Sequence, residues 1–284
     1  MRIVYCGYDF FFSCFQSLVA DGHEVLHVFS NACDGKVNFN NRLKAAAEKA
    51  RSPFSSERIG RSDLEVLVDA GCELIISAAY PYKIPVDPKL PLKGCNIHPT
   101  MLPEGRGPWP LPHLILNGLK DGGVTIHKLT GEMDAGDILI QEGFRIDQNE
   151  NLETVSCKAQ MLAPVLLGKL LRDFNVLWSR AIPQGQGTYW PTPTWAERTI
   201  DWHAGIESID RIIRAFGKFD SCASFGGKDW VVRDATAWKE KHSIEPGTVA
   251  HTSSREVVVA ASDGFVCIRF FEIDPDWKGL PSTD

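Results

Sequence analysis

The chain has 284 residues, of which 44% are hydrophobic and 23% are charged, and its formal net charge is −6. These proportions are typical of soluble globular proteins and exclude disordered and fibrous classes. No apolar run approaches the ~20 residues of a membrane span, and the strand-like start fits neither a signal peptide nor a transit peptide, so we expect a cytoplasmic protein. The negative charge disfavours affinity based on neutralising many phosphates, and it is compatible with a local basic patch.

The eight cysteines are scattered singly along the chain. They form no Cys-x-x-Cys pair and no Cys/His cluster at the spacing of zinc ligands. We therefore expect reduced, buried thiols and no structural metal.

The first third of the chain alternates strand and helix patterns. Residues 2–6 and 24–29 are short, β-branched apolar runs, and the segment between them carries apolar residues at helical spacing. Helices at 43–51 and 63–70 and a buried strand at 73–78 follow. This alternation predicts an α/β fold with a mostly parallel, Rossmann-like sheet and helices on both faces. Ligands of such sheets bind at the carboxyl ends of the strands.

The middle third continues the sheet around a loop rich in proline and glycine. A short strand at 94–98 runs into this loop at 99–112. Strands at 124–129 and 137–140 then flank a turn. An amphipathic pattern at 151–174 predicts a long helix that covers the sheet.

The composition changes near residue 184. The glycine- and proline-spaced residues 184–193 are typical of a linker, and a helix is predicted at 206–216. In the strand-rich tail, apolar runs at 256–260 and 265–270 flank a hairpin signal at 262–264. We predict an N-terminal α/β domain at 1–182, a linker at 183–199 and a small β-rich, OB-like domain at 200–284.

Several common functional motifs are missing from the sequence. The first βα turn holds only Gly7, where dinucleotide-binding proteins need Gly-x-Gly-x-x-Gly. The chain also has no Walker loop, no Gly-x-Ser-x-Gly elbow and no His-Glu-x-x-His helix. These absences remove support for dinucleotide-dependent enzymes, nucleotide motors and the common hydrolases.

Asn96 and His98 are the first candidates for catalysis. Two residues apart on a strand, their side chains share one face near its carboxyl end. An amide can donate to a developing oxyanion, and an imidazole with an unperturbed pKa of ~6.5 can carry a proton near neutral pH. The pair suits acyl transfer, but it is also compatible with two polar residues that cap a buried strand.

A third candidate lies in the turn Met133-Asp134-Ala135-Gly136-Asp137. A glycine-flanked turn lets the backbone approach a ligand, and Asp134 can orient His98 or accept a proton through water. Asp134 and Asp137 together also suggest a metal site, although no histidine or third acid lies nearby in sequence. An ordinary Asp-Gly turn remains the alternative.

Taken together, these segments resemble the signature of folate-dependent formyltransferases. The resemblance rests on residues 96–107 (NIHPTMLPEGRG), 123–127 (GVTIH) and 133–139 (MDAGDIL), in that order and in matching strand contexts. The family includes enzymes that formylate methionyl-tRNA, glycinamide ribonucleotide, amino sugars and hydroxyornithine. Residues 199–202 (TIDW) also resemble the start of the C-terminal β domain of some branches, so the resemblance covers nearly the whole chain.

The resemblance implies an activity and roles for the three candidates. A substrate amine attacks the formyl carbon of N10-formyltetrahydrofolate and gives a tetrahedral intermediate. Asn96 would stabilise the oxyanion, His98 would donate to it or carry the proton, and Asp134 would position His98 and help to deprotonate the amine. No metal is implied.

The resemblance also implies which residues contact the folate. In the family the pterin pocket is formed largely by backbone, here from residues 77–85 and 130–135, with apolar walls from nearby side chains. The expected cofactor-binding residues are Ser77, Ala78, Ala79, Tyr80, Tyr82, Ile84, Met101, Leu102, Thr130, Gly131 and Met133. Tyr80 and Tyr82 are also compatible with a merely structural role at the sheet edge.

The acceptor amine is the least determined part of the prediction. Residues 30–41 are short and carry one lysine and one aspartate, where methionyl-tRNA formyltransferases have a long basic insertion. We therefore expect a small-molecule amine, first of all a nucleotide-linked amino sugar, and consider nucleic acid an unfavoured partner. Tyr8, Arg106 and Trp109 are the expected substrate-binding residues.

Other functions stay open at this point. They are formylation of N-hydroxyornithine for a siderophore, formylation of methionyl-tRNA, and a non-catalytic folate-binding role. Basic residues in and beside the 43–51 helix suit either nucleotide phosphates or a solvated face; they are Arg42, Lys44, Lys49 and Arg51. By analogy with related enzymes, the C-terminal domain is expected to take part in a homodimer interface.

Overall fold

The computed structural model describes residues 1–35, 38–87 and 89–272. In this part of the chain, twelve strands and eight α-helices are defined. The described chain divides into two compact units. The first comprises Met1–Pro110, Asp121–Arg145 and Ser156–Pro191, and the second comprises Leu111–Lys120, Ile146–Val155 and the described residues from Thr192 onward.

The first unit is built on a seven-stranded sheet. Its strands are β1 (Arg2–Gly7), β2 (Glu24–Phe29), β3 (Phe54–Ser55), β4 (Leu74–Ala78), β5 (Lys93–His98), β6 (Asp121–Lys128) and β7 (Ile138–Arg145). Their order in the sheet is β3-β2-β1-β4-β5-β6-β7. The pairs from β3 to β5 are parallel, whereas β5 and β6, and β6 and β7, pair antiparallel. The predicted mostly parallel sheet is confirmed.

Helices cover both faces of this sheet because its central strands are apolar on both sides. Ile3 and Tyr5 of β1 pack into one hydrophobic cluster, and Val4 and Cys6, which alternate with them, pack into another. The helices that precede or follow these strands are α1 (Phe12–Ala20), α2 (Asn41–Lys49), α3 (Arg61–Asp69), α5 (Leu152–Arg172) and α6 (Phe174–Ser179). Residues of α1, α2 and α5 join the first cluster, and residues of α3 join the second.

The second unit holds an antiparallel sheet and three short or medium helices. Its elements are α4 (Leu111–Leu116), α7 (Trp195–Arg198), α8 (Ile206–Phe216), β8 (Ser221–Phe225), β9 (Lys228–Lys239), β10 (Val249–Thr252), β11 (Val257–Ala260) and β12 (Gly264–Glu272). The strand order is β10-β11-β12-β9-β8. Ile206, Ile209 and Ile213 of α8 pack with the apolar face of this sheet. The predicted C-terminal β domain and its hairpin at 262–264 are confirmed.

The predicted domain boundaries differ in detail from the two units. The division at Pro191 and Thr192 falls inside the predicted linker, 183–199. Residues 111–120 and 146–155, which the predicted boundaries assign to the first domain, belong to the second unit. The predicted helix at 151–174 therefore begins in one unit and continues in the other. Residues 273–284 of the predicted C-terminal domain lie outside the described residues.

The eight cysteines, all within the described residues, are free. Five of them are buried, as expected: Cys6, Cys14, Cys72, Cys95 and Cys222. The expectation of burial is wrong for Cys157, which is exposed on α5, and Cys33 and Cys267 are half-buried. None of the helices in the described residues combines the length and apolarity that crossing a membrane requires.

Candidate active site

The centre of the candidate site lies where the sheet changes from parallel to antiparallel pairing. Asn96 and His98 occupy alternate positions of β5 and share a face. The antiparallel register sets His127 of β6 directly opposite Asn96. His98 and His127 are both buried, at 4% and 1% exposure. The strand pairing thus brings two buried imidazoles together with the half-buried Asn96 amide.

Asp134 completes this cluster from the turn between β6 and β7. Its backbone is in the left-handed region, with φ of 54°, and its side chain is only 6% exposed. Oδ1 accepts a hydrogen bond from Asn96 Nδ2 at 3.2 Å, and Oδ2 accepts one from the Gly107 N–H at 3.0 Å. His98 Nδ1 lies 3.5 Å from Oδ1. The carboxylate therefore contacts each of the other predicted catalytic residues.

The hydrogen bonds of His98 fix which ring nitrogen can exchange a proton. Nε2 lies 2.8 Å from the carbonyl oxygen of Gly105, which can only accept, so Nε2 carries the hydrogen. In the neutral ring Nδ1 is then the free base, and it faces Asp134. Burial lowers the pKa of His98 below its usual range, and the Asp134 charge opposes this effect. At neutral pH His98 is thus uncharged and can accept a proton on Nδ1.

His127 and Asn96 are linked in a similar way. His127 Nδ1 lies 2.9 Å from the carbonyl oxygen of Lys128 and carries the hydrogen, so Nε2 accepts from Asn96 Nδ2 at 3.1 Å. The two hydrogens of the Asn96 amide are thereby directed at His127 and Asp134. To donate to an oxyanion, Asn96 must exchange one of these two bonds.

Asp134 is ionised at neutral pH despite its burial. Burial, the largest influence, raises its pKa, but His127 Nε2 at 3.6 Å, the charge that His98 carries when protonated and the Gly107 N–H together lower the pKa below its usual range. A buried carboxylate beside a neutral imidazole stabilises the protonated imidazole when it forms. The cluster can therefore accept a proton on His98 and release it again.

The residues after β4 present main chain rather than side chains. Ser77 and Ala78 end the strand, and Ala79 has φ of 59°. The Tyr80 hydroxyl accepts a hydrogen bond from the Ile59 N–H, and burial raises the pKa of Tyr80 to about 12. Tyr80 and Ile84 are thus part of the core, and Tyr82 is 37% exposed with its ring against Tyr80.

The remaining predicted folate contacts lie on two segments near Asp134. Leu102 is buried, and its N–H donates to Thr125 Oγ1 at 3.1 Å. Met101 packs over Gly123, where an added Cβ would lie 2.3 Å from Met101 Sδ. In the turn, Thr130 Oγ1 donates to the Glu132 carbonyl and Met133 is half exposed. A Cβ at Gly131 would meet no atom within 4 Å, so the turn borders open space.

The three predicted substrate-binding residues have different surroundings. Tyr8 is half-buried, and burial raises its pKa to about 12. Arg106 directs Nε and Nη2 to Gln184 Oε1 at 3.1 and 2.9 Å, so its guanidinium is held by the protein itself. Trp109 is half-buried two residues beyond Gly107.

Sequence reasoning assigned no role to three groups that complete the site. They are the His127 ring, the Gly107 N–H and the Gln184 side chain, which donates to the carbonyl oxygens of Asp134 and Gly136. His127 lies in a quoted motif, but its partner depends on a strand register that crosses a long loop. No local pattern marks a main-chain N–H or a linker glutamine as part of a site.

The alternative of a metal site at Asp134 and Asp137 finds no support in the geometry. Asp137 Oδ2 accepts from Lys128 Nζ at 3.0 Å, and the Asp134 oxygens are used as described above. Within residues 1–35, 38–87 and 89–272, no group of three or more His, Cys, Asp or Glu side chains is arranged to hold a metal ion.

Comparison with known families shows what class of protein this fold and site define. A family model described as formyl transferase matches residues 19–170, more than half of the chain, and the model of the formyl transferase C-terminal domain matches residues 194–275. The chain belongs to the formyltransferase family. It is a folate-dependent formyltransferase, as the resemblance implied.

Curated relatives cover most of the chain. The methionyl-tRNA formyltransferase of Enterococcus faecalis is 30% identical over 227 residues, which are 78% of this chain and 72% of that protein. The methionyl-tRNA formyltransferase of a Thermotoga species is 28% identical over 285 residues, covering 96% of this chain and 91% of that protein. The expectation that nucleic acid is an unfavoured partner is therefore not borne out, since these relatives carry tRNA in their names.

Solved structures share the fold at lower identity. WlaRD, a sugar 3N-formyl transferase solved with dTDP and 5-N-formyl-THF, matches with TM-score 0.71 and 16% identity over 96% of this chain and 98% of its own. The Helicobacter canadensis N-formyltransferase, in complex with folinic acid and dTDP-3-aminofucose, matches with TM-score 0.70 and 16% identity over 95% and 99%.

A longer protein contains a similar fold. HypX from Aquifex aeolicus, solved in complex with tetrahydrofolic acid, has TM-score 0.69 and 21% identity. The match covers 95% of this chain but 44% of HypX, so the chain spans less than half the length of that protein.

Proposed function

We propose that the protein transfers the formyl group of N10-formyltetrahydrofolate to a primary amine of a small metabolite, with a nucleotide-linked amino sugar as the first candidate. The observation that supports the transfer is the cluster of half-buried Asn96 with buried His98 and Asp134, in which His98 Nδ1 lies 3.5 Å from the carboxylate. The transfer itself is the chemistry of the family, and the acceptor is the finer part of the proposal.

The three residues divide the work of the reaction. The folate supplies the formyl group. His98 accepts on Nδ1 the proton that the amine loses as its new C–N bond forms, and returns a proton as the old C–N bond breaks. Asp134 stabilises the charged His98, while Asn96 exchanges one hydrogen bond and donates to the oxygen that becomes negative. One proton leaves and one returns, so the cluster ends in its starting state.

The segments around the cluster fit a folate donor. Tyr80 and Ile84 direct their side chains into the core, which leaves the backbone after β4 for recognition of a flat heterocycle. Gly131 borders open space in the turn that carries Asp134. Residues 77–85 and 130–135 would hold the donor through main-chain N–H and C=O groups, as the resemblance implies.

The preference for a small amine rests on the segment after β2 and the first βα turn. This segment has no run of basic residues. Its two ends are linked by a hydrogen bond of 2.8 Å from Asn40 Nδ2 to the Asn31 carbonyl oxygen. The Asp9 carboxylate accepts from the Arg42 and Leu43 N–H groups at the start of α2. A helix end that already holds a carboxylate does not attract a polyanion. The amino sugar is preferred because a sugar 3N-formyl transferase and an N-formyltransferase solved with dTDP-3-aminofucose share the fold over nearly their full length.

The basic residues of α2 and Arg51 just after it do not strengthen the nucleotide part of the proposal. The Arg42 guanidinium lies 4.4 Å from the centre of the Phe12 ring, and Lys44, Lys49 and Arg51 are exposed. Formylation of methionyl-tRNA is the second candidate, because the curated relatives with 26–30% identity carry that name.

A panel of acceptors tests the proposal. Release of tetrahydrofolate from N10-formyltetrahydrofolate is measured with dTDP-linked 3-amino and 4-amino sugars, N-hydroxyornithine and methionyl-tRNA at several salt concentrations. We expect kcat/KM for an amino-sugar nucleotide to exceed that for methionyl-tRNA by about a hundredfold or more.

Two outcomes would contradict the proposal at different levels. Efficient methionyl-tRNA formylation that falls steeply with salt would replace the small amine by tRNA. Tight folate binding without transfer to any amine of the panel would favour the non-catalytic role.

A further inference from the structure

A short segment beyond α6 runs along the loop after β5. We call residues 184–190 the strap. The Gly105 N–H donates to Thr188 Oγ1 at 2.9 Å, the Arg106 N–H donates to the Thr188 carbonyl at 3.0 Å, and the Trp190 N–H donates to the Arg106 carbonyl at 2.7 Å. The strap thus holds the residue whose carbonyl fixes the His98 ring. All of these residues belong to the first unit.

Gln184 joins the strap to the turn that carries Asp134. Its Nε2 donates to the Asp134 carbonyl at 2.8 Å and to the Gly136 carbonyl at 2.7 Å. Its Oε1 accepts from Arg106 Nε at 3.1 Å and Nη2 at 2.9 Å. Because a guanidinium can only donate and carbonyls can only accept, the amide has one allowed orientation. Its two hydrogens and its oxygen are all in use.

The backbone of Asp134 needs such support. A non-glycine residue with φ of 54° is in a less favoured region, and the surrounding structure must hold it there. The Gln184 amide binds two carbonyl groups of this turn, those of Asp134 and Gly136. A shift of about 1 Å in a catalytic group can lower a rate by about a hundredfold, so support of this turn bears directly on the reaction.

We propose that Gln184 is a positioning residue that sets the Asp134 carboxylate against His98, and that Arg106 acts by orienting Gln184. This differs from the sequence expectation that Arg106 contacts the substrate. The inference rests on the formyl transfer of the family and is independent of which amine accepts the group.

Two substitutions test the hydrogen bonds that Gln184 Nε2 donates to the turn. Gln184→Glu keeps an acceptor for Arg106 and turns a carboxylate toward the two carbonyl groups, while Gln184→Met has similar length and adds no charge. Both lose the two hydrogen bonds to the turn. Gln186→Ala, at an exposed position of the same strap, is the matched control. Each variant is assayed well below its own Tm.

The kinetic result separates positioning from a merely structural role. We expect both Gln184 variants to lower kcat about tenfold or more with KM for the folate within about twofold, and Gln186→Ala to match the wild type. A kcat within twofold of wild type in both variants would overturn the proposal. So would a loss that is fully explained by the unfolded fraction in circular dichroism.

A second readout does not need the acceptor. Asp134 and His127 are the titratable groups that act on His98. If the Asp134 turn relaxes in Gln184→Met, the carboxylate supports protonated His98 less, and the His98 ring should titrate at lower pH by NMR than in the wild type. An unchanged titration would overturn the proposal even if no acceptor had been found.

A double-mutant cycle tests the role of Arg106. If Arg106 acts through Gln184, Arg106→Lys and Gln184→Met together lower kcat no further than the stronger single variant. If the two effects multiply, and Arg106→Lys raises KM for the acceptor, Arg106 contacts the substrate and that part of the proposal is wrong.

Discussion

The two halves of the seven-stranded sheet bury different kinds of side chain. The parallel half is apolar, as in Ile3, Val4, Ile75 and Ile76, which are almost completely buried. The antiparallel half and the loop and turn next to it bury, besides apolar residues, a group of polar ones: His98, Thr100, Thr125, His127 and Asp134. Buried polar groups are costly unless they are hydrogen-bonded, and these are bonded to one another or to main chain. The parallel half thus acts as scaffold, and the change of strand direction creates the site.

The largest loss of kcat should come from removing His98, the proton acceptor in the antiparallel half. We expect His98→Ala to lower kcat by about 10²–10⁴-fold, because the other imidazole near Asp134, His127, has its acceptor nitrogen engaged by Asn96 Nδ2. The matched control is His27→Ala on β2, a half-buried histidine in the parallel half. Steady-state kinetics with circular dichroism checks both, and equal losses in the two variants would remove the distinction between the halves.

Asp134→Asn should reduce kcat by about a hundredfold and change the pH profile in a defined direction. Burial lowers the pKa of His98, and the Asp134 charge partly offsets this effect. Without that charge the pKa of His98 falls further, so His98 stays neutral to lower pH. The acid limb of kcat/KM should therefore move to lower pH, and a move to higher pH would show that His98 is not the titrating group.

A smaller loss of kcat is expected when His127 is replaced, the residue that the antiparallel pairing of β5 and β6 adds to the site. In His127→Phe, Asn96 Nδ2 loses its acceptor and the amide is free to turn, so we expect kcat to fall about tenfold. His127→Gln can still accept from Asn96 and should recover part of the activity. If both variants matched the wild type, the pairing of β5 and β6 would be structural only.

The smallest effect on catalysis should follow from a change in the parallel half. Ile76→Val removes one buried methylene and should destabilise the protein by about 0.5–1.5 kcal/mol in denaturant unfolding. The kcat of the folded protein should stay within about twofold of wild type. A large loss of kcat in fully folded Ile76→Val protein would show that the parallel half also affects the geometry of the site.

The sequence predicts the scaffold better than the site because strand and helix patterns are local. The continuous apolar runs at 2–6 and 73–78 are enough to identify β1 and β4, which are confirmed. Strand spacing, turn chemistry and the family resemblance together predict Asn96, His98 and Asp134 as site residues. Their mutual contacts, however, depend on the return of β6 after a loop of more than twenty residues, which no local pattern encodes.

Two further features of the structure cannot be predicted from the sequence, for related reasons. The α4 helix is only six residues long and lies inside a region dominated by proline and glycine. Gln184 lies in a stretch that composition identifies only as a linker, since its partners are main-chain carbonyls 48 and 50 residues away. Side chains that bind backbone leave no complementary residue for a sequence pattern to detect.

The carbonyl groups of Gly105 and Lys128 determine the tautomer of His98 and of His127. A carbonyl is supplied by every amino acid, so substitution at either position cannot delete the acceptor itself. At Gly105 the backbone is also confined, since an added Cβ would lie 2.4 Å from the Trp190 ring. The path of the main chain therefore determines which nitrogen of each ring carries the hydrogen. Related proteins with different pocket side chains can keep the same proton transfer.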